Sequence, residues 1–406
     1  MECSPAPLHV AALVVEHDEA IGLRHAVLVG IVKNDVVYTP LGEITGRTRP
    51  ADASLRELAK GDGDLEDPRG GEMRVFGLLL LAAPLSALAQ LTVYCSIIDE
   101  QCRAGVAAFE RSSGVKVTMV RKGTGETYAQ IRAEASNPRG DVWWGGPGDP
   151  HMQAAEEGLL EEYKSPRLAE LHPWAVRLAE LSKFRTTGIY LGALGIGYNT
   201  QVLKKKNIPE PKCWADLLDA KFRDEVQIAD PNSSGTAYVM LATIVQLMGE
   251  DKGFAYLKSL HRNVNQYTKS GIAPVKSAAS GETGVGIAFL HDMVTLRVQG
   301  APIATVAPCE GTGYEIGAVS LIKGRKNTEA ARRFLDWTLS AEAQKVVGVD
   351  QNIYSIPSNK AAPVHAQAPN LASIKLINYD SAKYGSSAER NRLLRKWGDE
   401  VKALPK

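Results

Sequence analysis

A chain of 406 residues with 44% hydrophobic and 23% charged side chains has the composition of an ordinary soluble globular protein. A formal net charge of +1 supplies no basic face for a phosphate backbone, which argues against nucleic acid as a partner. The chain carries no internal repeat and no low-complexity tract.

Residues 1–72 differ in character from the rest of the chain. They end in "KGDGDLEDPRGGE", the composition of a linker. Within them "VLVGIVKNDVVYTPLGEITGRTRP" resembles the C-terminal tail of 6-phosphofructokinases; it holds no catalytic motif and implies no activity. "MRVFGLLLLAAPLSALAQ" begins at Met73 and has the parts of a secretion signal. Arg74 is the positive region, Val75 to Ala83 the apolar stretch, and Ala87-Leu88-Ala89 the small-residue cleavage site before Gln90. The run is too short for a membrane span and is broken by Pro84 and Ser86. The expectation is a signal peptide over 73–89, a mature chain from Gln90, and residues 1–72 as a non-native or linker-like extension. A genuine fusion is the alternative.

Export agrees with the cysteines. Of five, Cys3 precedes the signal, leaving Cys95, Cys102, Cys213 and Cys309. An even number in an oxidising compartment favours disulfides. Of three pairings, Cys95–Cys102 with Cys213–Cys309 is expected, four buried thiols being the alternative. No CxxC pair or His cluster supports a metal site, and no cofactor is expected.

The mature chain opens with alternating elements. "LTVYCS" is a predicted strand, and "DEQCRAGVAAFERSSG" a helix stopped at Gly114. "VKVTMVRK" is a strand, "GTGETYAQIRAEASNPRG" a helix, "DVWWGG" a strand, and "DPHMQAAEEGLL" a helix. This order predicts a parallel, doubly wound sheet with ligand at the strand C-terminal ends. "TTGIYLGALGIGYNT" has no helix between its halves and suits a strand crossing between lobes. A second α/β unit follows from Gln201 to Pro308. "YEIGAVSLIKG" reads as a strand returning to the first lobe, and "NTEAARRFLDWTLSAEAQKVV" as an amphipathic helix capped by Asn327 or Thr328.

"GIGYNTQVLKKKNIPEPKCWADLLDAKFRDEVQIADPNSSGTAY" then carries a resemblance. Tyr198-Asn199, Pro209, Trp214, Asp216 to Leu218, Ala229 to Pro231, Ser233 and Gly235 are similar to a run found in periplasmic solute-binding proteins of ABC importers. Together with the signal and the double crossover, the likeness spans Gln90–Lys406. It resembles most the ferric-iron-type clade, which includes sugar-phosphate and phosphonate binders. The resemblance implies a two-lobed α/β periplasmic-binding-protein fold of type II, with a cleft between lobes joined by two crossover strands. The expected lobes are 90–190, 191–308, and 309–406 returning to the first. It also implies a monomer in the periplasm that captures a small molecule by hinge closure and delivers it to a membrane permease and ATPase, without catalysis.

The strand-to-helix junctions supply the candidate cleft residues. Ser96, Thr127 and the turn Ser233, Ser234, Gly235, Thr236 sit where helix N-termini offer unpaired N–H groups, which suit an anion. His291 and Asp292 follow an apolar strand in "GIAFLHDMV". Glu310 in "APCEGTGYE" lies beside Cys309, where a disulfide would hold it in place. A His and two carboxylates would take hydroxyls or an ammonium group. Trp144 is a candidate for stacking on a sugar face, since only one of Trp143 and Trp144 can point into a given face.

The expected ligand is therefore a sugar phosphate or an aminoalkylphosphonate. Ferric iron is the alternative, weakened because no Tyr-Tyr pair occurs and His291-Asp292 ends the corresponding strand. A secreted phosphoester hydrolase is the alternative of another class; the mature chain has no GxSxG, HExxH or GxxxxGK[ST] motif.

Overall fold

The computed structural model describes the backbone of residues 9–18, 23–32 and 35–43, and all of residues 90–406. The first part is an antiparallel sheet of β1 (His9–Asp18), β2 (Leu23–Val32) and β3 (Asp35–Glu43), paired in that order. The linker-like reading of residues 1–72 does not hold for these strands. The signal peptide, its cleavage site and the acidic linker lie outside the described residues.

Residues 90–406 build a sheet from β4 (Leu91–Cys95), β5 (Val117–Arg121), β6 (Val142–Pro147), β7 (Thr187–Asn199), β8 (Val226–Ala229), β9 (Val264–Thr268), β10 (Val285–Phe289), β11 (Ile303–Val306), β12 (Tyr314–Leu321) and β13 (Ile356–Pro357). The order is β5-β4-β6-β12-β7-β10-β8-β9, with β11 and β13 also paired to β7. β4 runs parallel to β5 and β6, and β8 parallel to β9 and β10, as alternating strands and helices require.

The long strand β7 makes two lobes from one sheet. Its first half, Thr187 to Ala193, pairs antiparallel with β12; from Leu194 to Tyr198 it pairs with β10. The second crossover is β12, which returns to lie beside β6. A strand that changes partners midway is a hinge, because each half is held by a different core.

Those cores are separate. One gathers Val93, Phe109, Trp144, Phe334 and Leu335; the other gathers Ile196, Trp214, Phe222, Tyr238, Phe254 and Ile287. Each fully buried large apolar side chain contributes about 1.5–3 kcal/mol. The helix Thr328–Thr338 belongs to the first core, as its amphipathic spacing predicts. The end of the chain does not: Tyr379, Tyr384, Leu393 and Trp397 pack in the second core. The expected return of 309–406 to lobe 1 thus fails for the last helix, Ser387–Trp397, whose apolar stripe finds the second lobe.

Both expected disulfides form. Cys95–Cys102 joins β4 to the helix Asp99–Ser113 with Cα atoms 6.1 Å apart. Cys213–Cys309 joins the start of lobe 2 to the loop before β12 with Cα atoms 4.8 Å apart.

The last helix also bridges the lobes through a buried cation. Arg390 Nη1 donates to Gln153 Oε1 at 2.8 Å, and the guanidinium lies 4.7 Å from the Tyr238 ring centroid. Asp149, on the same helix as Gln153 (Gly148–Glu156), accepts from the Tyr379 hydroxyl at 3.2 Å. Burial outweighs the attraction of Arg390 and pushes the Asp149 carboxyl up to about 6. A folded-state value above the unfolded one means that this group's stabilisation is full below about pH 4 and is lost as pH rises through about 6. Between pH 4 and pH 7 the wild type should lose about 3 kcal/mol more stability than Asp149→Asn. Urea unfolding of both proteins at the two pH values checks this; parallel losses would refute it.

Candidate functional site

A cleft of about 550 Å³, part of it open to solvent, lies between the lobes at the strand C-terminal ends. Six helices begin at its wall. Ile98, Gly123, Pro147, Ser234, Ile272 and Phe289 each precede a helix and each line the cleft. Only Ser234 caps its own helix through its side chain, accepting from Ala237 N–H at 3.3 Å. The other junctions leave first-turn N–H groups without a side-chain acceptor at the cap position, and six positive dipole ends converge on one space. Such an arrangement suits an anion. Arg121 adds a formal cation to the wall, its Nε donating to Ile97 O at 3.0 Å.

A second group of side chains has a different chemistry. His291 and Asp292 open the helix Leu290–Val298 in lobe 2, and Glu315 and Tyr190 come from the crossover strands β12 and β7. His291 Nε2 lies 3.6 Å from Asp292 Oδ1 and 3.8 Å from Glu315 Oε1, and the Tyr190 hydroxyl reaches Glu315 Oε2 at 3.5 Å. Burial holds the imidazole neutral, its value lowered against the pull of Asp292. Burial, then the neighbouring Asp292, holds Glu315 well above the usual carboxylate range. Asp292 is raised by burial, offset in part by His291, Lys276 and Arg121. Tyr190 is raised by burial and by Glu315. These are donors and acceptors with unused capacity: His291 Nδ1 has no partner among the described residues. Hydroxyl groups, each donor and acceptor, complement such a cluster.

Two glycines make the geometry possible. Gly192 faces Glu315 across β7 and β12, and a Cβ there would fall 2.3 Å from His291 Nδ1. Gly146 has φ +82°, donates its N–H to the Tyr190 hydroxyl at 3.2 Å, and would place a Cβ 2.4 Å from Thr124 Oγ1.

Of the residues expected from sequence, Ser96, Ser234, Gly235, Thr236, His291 and Asp292 line the cleft. The others are placed elsewhere. Thr127 is buried beneath Ser96, the hydroxyl oxygens 3.0 Å apart. Ser233 closes the lobes instead: its carbonyl accepts the Gly125 N–H at 3.1 Å, and its hydroxyl donates to Lys269 O at 3.1 Å. Trp144 packs on Phe334 in the first core. Glu310 accepts the N–H groups of Trp214 and Ala215 at 2.8 and 2.9 Å, capping the short turn Ala215–Leu218, because free N–H groups beside the disulfide attract the nearest carboxylate. Cys213, Cys309 and Glu310 are the one group of metal-ligand spacing among the described residues, and both cysteines are spent in the disulfide. Glu315 and Tyr190 line the cleft as well and are not among the residues expected from sequence. The signal was present in β12, where a lone carboxylate stands in the apolar run "YEIGAVSLI".

Residues 148–384 match the family described as bacterial extracellular solute-binding protein. The chain belongs to that family. Its fold is the periplasmic-binding-protein fold, its place the periplasm, and its activity is binding without catalysis. It is 47% identical to the periplasmic binding protein AfuA from Actinobacillus pleuropneumoniae, a structure with exogenous fructose-6-phosphate bound; the match covers 78% of this chain and 99% of that one, with a TM-score of 0.76. It is 28% identical to a putative 2-aminoethylphosphonate-binding periplasmic protein of Salmonella typhimurium, over 58% of this chain and 68% of that protein. Iron-bound HitA from Pseudomonas aeruginosa is 21% identical with a TM-score of 0.65, covering 76% and 99%, and shares the fold.

Proposed function

We propose that this solute-binding protein captures a sugar phosphate and presents it to the permease and ATPase of an ABC importer. One observation carries the reading: six helix N-termini meet a hydroxyl-complementary cluster of His291, Asp292, Glu315 and Tyr190 in the same cleft. The phosphoryl group takes the backbone N–H groups, Ser96 and the Ser234–Thr236 turn. The sugar hydroxyls take His291, Asp292, Glu315 and Tyr190. Similarity to a protein with fructose-6-phosphate bound supports the same choice. Ferric iron fits poorly, since a hard cation needs ionised oxygen ligands. Burial opposes ionisation of both carboxylates here, and the helix dipoles repel a cation.

Calorimetric titration of the ligand-stripped protein tests the reading. Fructose 6-phosphate should bind, while fructose and ferric citrate should give no saturable heat. Tighter binding of 2-aminoethylphosphonate would move the assignment to phosphonates. A response to iron alone would overturn it.

A further inference from the structure

Behind Ser96 stands a column of buried side chains, Trp143, His151 and Ser320, none of which lines the cleft. Trp143 Nε1 donates to Ser96 Oγ at 3.0 Å, and the Trp143 ring stacks on His151 with centroids 3.6 Å apart. His151 Nε2 faces Gly145 O at 3.3 Å, and Nδ1 faces Ser320 Oγ at 2.8 Å. A carbonyl can only accept, so Nε2 carries the proton and Nδ1 accepts from Ser320. Burial keeps this imidazole neutral, its value pulled down to about 3. The ring is thereby fixed at both nitrogens, and the indole plane with it.

The hydrogen count then decides where the Ser96 proton points. The indole N–H is donor only, so one lone pair of Ser96 Oγ is taken. Thr127 is 1% exposed, and its hydroxyl has Ser96 as its sole side-chain partner among the described residues. If Ser96 donated to Thr127, the Thr127 hydrogen would be left buried with no acceptor, which costs more than an ordinary hydrogen bond returns. The arrangement that uses every buried hydrogen has both Trp143 and Thr127 donating to Ser96. The Ser96 hydrogen is then directed into the cleft that Ser96 lines.

We infer that Trp143 is a positioning residue that makes Ser96 an obligate donor, so that this wall of the cleft calls for an acceptor, a role that a phosphoryl oxygen fills. The inference rests on the sugar-phosphate reading for its ligand. It makes Trp143 a determinant of affinity without contact to the ligand.

A double-mutant cycle tests it, with fructose 6-phosphate and inorganic phosphate titrated in parallel by calorimetry. Trp143→Phe removes the N–H and keeps a ring against His151. It should weaken fructose 6-phosphate binding about 3- to 10-fold, and Ser96→Ala about 10-fold. In the Ser96→Ala background, Trp143→Phe should change affinity less than about twofold, because the group it orients is gone. A merely structural tryptophan would lower affinity equally in both backgrounds, and additive losses overturn the inference. If wild type binds phosphate but not the sugar ester, the sugar reading fails and the cycle is read on phosphate. Wild type that binds neither overturns both.

Discussion

Replacing Asp292 by alanine should lower the affinity for fructose 6-phosphate by roughly 10- to 150-fold, the effect of losing a hydrogen bond to a charged group, about 1.5–3 kcal/mol. Asp292 lines the cleft from lobe 2, while Glu315 stands on the crossover strand, so both must be in place when the lobes meet. In the proposed complex, alanine leaves a sugar hydroxyl without its partner, and it leaves Glu315 with one neighbour fewer. Asparagine keeps the side chain's length and one acceptor oxygen in the same place. Asp292→Asn should therefore lose less than Asp292→Ala. Binding of inorganic phosphate should change less than about twofold in either variant, since the helix N-termini are intact. Calorimetry on the three proteins with both ligands decides it. Alanine and wild type binding the sugar ester equally would remove Asp292 from the site.

The two-lobed fold was legible because its signals are local. Alternating strands and helices predict the parallel pairing of β4 with β5 and β6 and of β8 with β9 and β10, and a long β-prone run without a helix suits a crossing segment. β7 is that segment, changing partners at Ala193–Leu194, while its antiparallel pairing with β12 and β10 makes the sheet mixed. His291-Asp292 was legible for the same reason, as polar residues directly after a buried strand. The remainder depends on contacts far apart in sequence. Glu315 meets His291 only because Gly192, on a third segment, leaves room for the imidazole. Glu310 was misread because its neighbours in sequence say nothing of the Trp214 and Ala215 N–H groups that claim it. Thr127 and Ser233 occupy junctions of the right composition, yet one supports Ser96 from beneath and the other joins lobe to lobe. Small polar residues mark a helix start; which of them face the ligand is set by how the lobes close. The tail was assigned to the wrong lobe because the apolar stripe holding Leu393 and Trp397 fits any core, and only packing chooses between two.

Removing the Cys213–Cys309 bond should destabilise the protein far more than it affects ligand. The cysteines are 96 residues apart, and closing a loop of that size is worth about 4.7 kcal/mol in the chain-entropy picture, against about 2.5 kcal/mol for Cys95–Cys102 with a separation of 7. The longer loop contains most of lobe 2, so its release enlarges the unfolded ensemble by nearly a whole lobe. The double variant Cys213→Ala/Cys309→Ala should thus unfold at lower urea than Cys95→Ala/Cys102→Ala, both below wild type. Fructose 6-phosphate affinity should stay within about twofold of wild type in the first variant at temperatures where it remains folded. Glu310, which that bond anchors, serves the Trp214–Ala215 turn and not the cleft. The shorter bond sits closer to the ligand, because Cys95 directly precedes Ser96 and Cys102 follows the cleft residue Gln101. Its loss should weaken binding as well as stability. An order reversed in both respects, with Cys213–Cys309 governing affinity and Cys95–Cys102 governing stability, would mean that Glu310 reaches the ligand after all.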